Sequence, residues 1–169
     1  MPRMAFRWAV MINAPVERVF SYMRDPKNLF HGMAAGNPDF EFSDVKVTPE
    51  GVGTTARVEV HLPGLKNLGP TAKVNIEITE VVPSRRIAVK SFIPAGRIFK
   101  FDGTWTWKFE PGNGGTNLVL EYEELASWGV YVFDRLTAKL QSKEMNTYFA
   151  GLKTTLEATS KLAGAEPTG

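Results

Sequence analysis

The sequence predicts an α+β fold: a curved, seven-stranded antiparallel sheet wrapped around one long C-terminal helix, with two short helices between the first and second strands. Three observations predict it. An alternating segment at 5–12 runs without pause into a proline-started helical pattern. A long amphipathic pattern covers 128–162. Everything between consists of short alternating runs separated by turn residues about ten positions apart, the spacing of an antiparallel meander.

In the first strand Phe6, Trp8, Val10 and Ile12 alternate with Ala5, Arg7, Ala9 and Met11. Pro15 suits a first helical position, where no N–H is needed, and Glu17 suits the positive helix end. Val16, Val19, Phe20 and Met23 then form one apolar stripe. Asp25-Pro26 repeats the start signal for a second helix bearing Leu29, Phe30 and Met33, with Gly32, Gly36, Asn37 and Pro38 ending it.

Strands are expected at 40–47, 54–62, 72–82, 87–93, 101–110 and 116–125. The cleanest places Phe101, Gly103, Trp105, Trp107 and Phe109 opposite Asp102, Thr104, Thr106, Lys108 and Glu110. The segment 111–115, rich in Gly and Asn, is a hairpin turn. Polar opposite faces mean that one side of the sheet is covered. The cover is the terminal helix, through Val132, Leu136, Leu140, Met145, Phe149, Leu152 and Leu156. As one rod that helix would be ~50 Å long, against ~40 Å for a domain of this size. A break is therefore expected near Gly129 or between Leu140 and Met145, where the apolar spacing slips to five. The chain reads as one domain over 1–162 with a disordered tail at 163–169.

A formal charge of +2 and 43% hydrophobic residues point away from a nucleic-acid footprint and stable membrane insertion. The absence of cysteine excludes disulfides, zinc–thiolate sites and a thiol nucleophile. The expectation is a cytoplasmic monomer or homodimer without cofactor or metal. The run 51–56 formally matches a dinucleotide fingerprint but lies between strands and opens no helix, so it reads as a hairpin turn. The only histidines, His31 and His61, are poor metal-site material at such a separation.

Seven strands span ~30 Å, whereas one helix with its side chains is only ~10–12 Å thick. Some concave apolar surface should remain for a small hydrophobic ligand. Large rings gather on inward positions: Trp8, Phe42, Trp105, Trp107, Tyr122 and Phe149. Each taken alone reads more simply as core packing; Trp105 and Trp107, sharing one face of one strand, are the pair expected as pocket wall. Ser91 joins them on the inward register. Met145, Tyr148, Phe149 and Leu152 line the helix side, and His31 stands near the mouth. Tyr122 is the candidate for chemistry, donating to a ligand carbonyl or assisting an enolate. Glu80 shares the inward register but sits beside a turn. Glu121, Glu123 and Glu124 read as a charged outer edge, and Arg97 as a solvated loop residue.

The segment Asn13-Ala14-Pro15-Val16-Glu17-Arg18-Val19-Phe20, followed by Asp25-Pro26, resembles the start of START-like proteins, the SRPBCC superfamily with the helix-grip fold. Gly51-Val52-Gly53-Thr54 resembles its first hairpin and the run 80–87 its middle turn. The runs 107–116 and 152–157 resemble its last hairpin and terminal helix. The order of the fragments most resembles the polyketide cyclase/dehydrase and lipid-transport branch. His31, where relatives often carry tryptophan, and the long 63–70 loop depart from it. The resemblance implies a cavity that binds, and in some members transports, lipids, sterols, polyketides or aromatic compounds. It also admits a cyclase, aromatase or dehydratase, or an accessory protein docking an enzyme. No catalytic constellation of the cyclases matches this chain residue by residue.

Overall fold

The computed structural model describes residues 1–35, 40–60, 72–93 and 101–163. Strand β1 (Arg3–Ile12) leads into helices α1 (Val16–Arg24) and α2 (Pro26–Ala34). Strands β2 (Phe40–Lys46), β3 (Thr55–Val60), β4 (Ala72–Val82), β5 (Arg86–Phe92), β6 (Phe101–Gly112) and β7 (Gly115–Ala126) follow, and helix α3 (Trp128–Ala163) closes the chain. The sheet order is β1-β7-β6-β5-β4-β3-β2, antiparallel throughout. This is the expected meander, with the first strand joined to the last. His61, Arg97, the 63–70 loop and the tail at 164–169 lie outside the described residues; Ala163, assigned to the tail, is the last residue of α3.

The turns obey local chemistry. Asp25 caps α2 by accepting from the Lys27 N–H at 2.9 Å, with Pro26 directly behind it. Pro15 stands one place earlier than expected, as the residue before α1. Gly114, at φ +82°, makes the β6–β7 hairpin possible. The 51–54 segment is a turn leading into β3, as its context demands.

Gly32 does not end α2. It lies buried inside the helix, where a Cβ would stand 2.7 Å from the Tyr148 hydroxyl oxygen and 3.2 Å from Trp107 Cη2. Its bare backbone lets α2 settle onto α3 and β6.

Helix α3 runs for 36 residues without interruption, ~54 Å at 1.5 Å per residue. The expected break is absent, and the reason lies in its packing. Met145, Phe149, Leu152 and Leu156 are buried, whereas Val132, Leu136 and Leu140 are exposed, Leu136 at 80%. Residue spacings of three, four and seven extend the buried face backward from Met145 through Gln141, Ala138 and Asp134. The slip of five in the apolar pattern marks a change of side, not a kink. The C-terminal half is latched to the end of β1: Lys153 Nζ donates to the Met11 carbonyl at 2.6 Å, and Glu157 accepts from the Asn13 N–H at 2.8 Å.

Candidate functional site

Cross-strand register assembles the inward face row by row. Ser91, Gly103 and Glu124 align across β5, β6 and β7. Val89, Trp105, Tyr122 and Phe6 form the next row, and Ile87, Trp107, Leu120 and Trp8 the one beyond. Period-two alternation therefore delivers a polar end and an aromatic middle to one concave surface.

The predicted residues fall into three groups. In the first, the Trp105 indole lies 4.2 Å from the Tyr122 ring, and its Nε1–H donates to Ser91 Oγ at 3.2 Å. In the second, Trp107, wholly buried at 0% exposure, packs against Tyr148 and Phe149, with ring centroids 6.4 and 6.0 Å away. Met145 and Leu152 are buried on the same side of α3. In the third, His31 and Phe42 line a groove of about 650 Å³ between α2 and the β2 edge, where Phe42 stacks on Phe30. An edge-on contact from His31 to Tyr148 links the third group to the second. Glu80 stands apart, paired with Arg86 on the outside.

The polar end holds what sequence reasoning missed. Glu124 is not an outer-edge residue: it is 3% exposed, and its Oε2 accepts from the Tyr122 hydroxyl at 2.5 Å. The signal was present, since Glu124 is two residues beyond Tyr122 and four beyond Leu120 on one strand. Asp134 joins it from the polar stretch of the buried side of α3, held by Gln141 at 3.4 Å.

Burial, with the neighbouring Asp134 charge, raises the Glu124 pKa from 4.5 to about 7, against the opposing pull of the Tyr122 hydrogen bond. Burial also raises Asp134, offset in part by hydrogen bonds from Glu124 and Gln141. The Tyr122 phenol is pushed well above its ordinary range, first by burial and then by the Glu124 charge. Near neutrality, therefore, a proton is held at the Glu124 end of the cluster.

Three buried polar atoms find no hydrogen-bond partner among the described residues: Glu124 Oε1, Trp107 Nε1 and Ser127 Oγ. The first two belong to inward positions of β7 and β6. Among the described residues, no group of three or more His, Cys, Asp or Glu could hold a metal ion, and no helix is long and apolar enough to cross a membrane.

The architecture has solved counterparts. The Zhui aromatase/cyclase from Streptomyces sp. R1128 superposes with a TM-score of 0.64 at 16% identity, covering 98% of this chain and 100% of its own. Ara h 8.0201 gives 0.52 at 13% identity, covering 89% and 99%. A protein from Thermus thermophilus gives 0.53 at 25% identity, covering 96% and 100%. No curated protein matches the chain by sequence. The profile of one sequence family, however, matches residues 4–157. That match agrees with the seven-stranded grip around α3: the chain belongs to the polyketide cyclase/dehydrase and lipid transport family of the SRPBCC superfamily.

Proposed function

We propose that the protein binds a small hydrophobic molecule carrying hydrogen-bonding groups, held against the concave face of the sheet between Trp105, Trp107, Tyr122 and the inward side of α3. One observation carries this reading. Trp107 Nε1–H, wholly buried on the inward face of β6, is a donor without a partner among the described residues, whereas the Glu124 carboxyl has Tyr122 and Asp134. Folded proteins pair nearly all such groups, because each orphan costs ~1–3 kcal/mol. A ligand with an apolar body and a hydrogen-bond acceptor satisfies that donor while its rings stack on Trp105 and Tyr122.

Native mass spectrometry of the purified protein, followed by solvent extraction, tests it. A co-purifying small molecule is expected, and its affinity should fall roughly tenfold in Trp107→Phe, which removes one donor and keeps a ring. Protein that is always empty and fails to bind apolar fluorescent probes refutes the reading.

A second reading, a cyclase or dehydratase working in the same place, is favoured by the Tyr122–Glu124–Asp134 cluster. Of two carboxyl groups in one buried site, the one with the higher pKa is an acid and the other a base. Loss of water from a β-hydroxyketone needs both: the base takes the proton alpha to the carbonyl, the C=C bond forms, the C–O bond breaks, and the acid protonates the departing hydroxide. Turnover should fall ~10²–10⁴-fold in Glu124→Gln with binding retained. Unchanged turnover removes Glu124 from the chemistry.

A further inference from the structure

The exposed side of the first half of α3 has an unusual composition. Among the described side chains between 128 and 143, the exposed ones are Trp128, Gly129, Val132, Arg135, Leu136, Lys139, Leu140 and Lys143. Four are large and apolar, three are basic, and none is acidic. Trp128, Val132, Leu136 and Leu140 recur every four residues and form a ridge ~18 Å long. Trp128 is 71% exposed, with its ring edge-on to Tyr131. Arg135, Lys139 and Lys143 form a second row beside it. On the same flank a shallow recess of about 760 Å³ lies against Lys139, Ser142, Lys143 and Asn146.

We infer that this face docks the protein on an anionic lipid bilayer, the apolar ridge entering the interface while Arg135, Lys139 and Lys143 meet the headgroup phosphates. A basic row beside an apolar row, with an indole at one end, is the pattern by which helices lie in a membrane surface. The positive charge complements anionic headgroups directly. No described helix is long and apolar enough to span, so the attachment is peripheral. The inference rests on the ligand-binding reading in one respect only: it makes the bilayer the source or destination of the hydrophobic ligand.

The test is co-sedimentation of the full-length protein with phosphatidylcholine vesicles, with and without phosphatidylglycerol. Binding is expected only with phosphatidylglycerol present, and it should weaken as salt is raised. The triple change Arg135→Glu, Lys139→Glu, Lys143→Glu should reduce affinity ~100-fold or more, at about fivefold per basic residue lost. Leu136→Glu should reduce it at least ~10-fold. Because all four side chains are exposed, thermal unfolding should match that of the parent. No binding to anionic vesicles, equal binding to neutral ones, or indifference to both variants overturns the inference. So does a dimer in analytical ultracentrifugation that Leu136→Glu dissolves while vesicles are ignored; the face then covers a second copy. A protein that co-purifies with a ligand yet ignores vesicles sinks the docking alone and leaves ligand binding standing.

Discussion

Replacing Glu124 by glutamine isolates the energetic consequence of burying that carboxyl. Its pKa stands at about 7 in the fold against 4.5 ordinarily, because burial and the Asp134 charge disfavour ionisation. Below pH 4.5 the group is protonated whether the chain is folded or not, and it contributes no pH dependence. Between 4.5 and 7 the folded state holds a proton that the unfolded state has released, so stability falls as pH rises. Above 7 the loss is complete, about 3 kcal/mol at ~1.4 kcal/mol per pH unit. Glutamine keeps the shape and an acceptor for the Tyr122 hydroxyl, but never ionises. Urea unfolding of both proteins between pH 4 and 8 should therefore show a gap in favour of Glu124→Gln that widens through this window and then levels off at up to ~3 kcal/mol. A gap that does not change with pH, or one that widens only below pH 4.5, would refute the buried-acid account.

Two further expectations concern how the elements meet. Gly32→Ala would ordinarily strengthen a helix by ~1 kcal/mol, but here the new methyl meets Tyr148 at 2.7 Å. Overpacking of ~1–3 kcal/mol should win, giving a lower Tm that Tyr148→Phe partly restores in the double variant; an equal loss in both backgrounds would mean another contact is responsible. Thr116→Val keeps the side-chain shape but removes the hydroxyl that donates to the Ala14 carbonyl at 2.8 Å. Chemical denaturation should register a loss of ~1–3 kcal/mol, with Thr116→Ser close to the parent.

Most of the fold is legible because each strand announces its own faces. Alternation in 101–110 places Trp105 and Trp107 inward, and the Asn/Gly-rich turn at 111–115 sets the β6–β7 register. The same rule, continued two residues past Tyr122, places Glu124 inward as well. Charge argues the other way, since an acid among Glu121 and Glu123 looks like solvated edge. Helix α3 misleads in the mirror sense. Its leucines at 136 and 140 suggest the core face, yet Asp134, Ala138 and Gln141 hold that position. Hydrophobicity locates a buried face only where every apolar residue faces protein, and the first half of α3 breaks that condition. What the sequence could not supply was which side chains converge from separate elements, such as Tyr148 reaching Gly32 across the interior.

The latch between α3 and the end of β1 leaves the two halves of the helix unequally held. Lys153 and Glu157 anchor one end to the backbone of residues 11–13, and the deeply packed residues Met145 through Leu156 stiffen the adjoining span. The opposite end is joined to β7 through Ser127 alone, and the span between them presents Asp134, Ala138 and Gln141 inward in place of large apolar side chains, so it is the more weakly packed part of the helix. Amide protons of 128–143 should accordingly exchange sooner than those of 145–157.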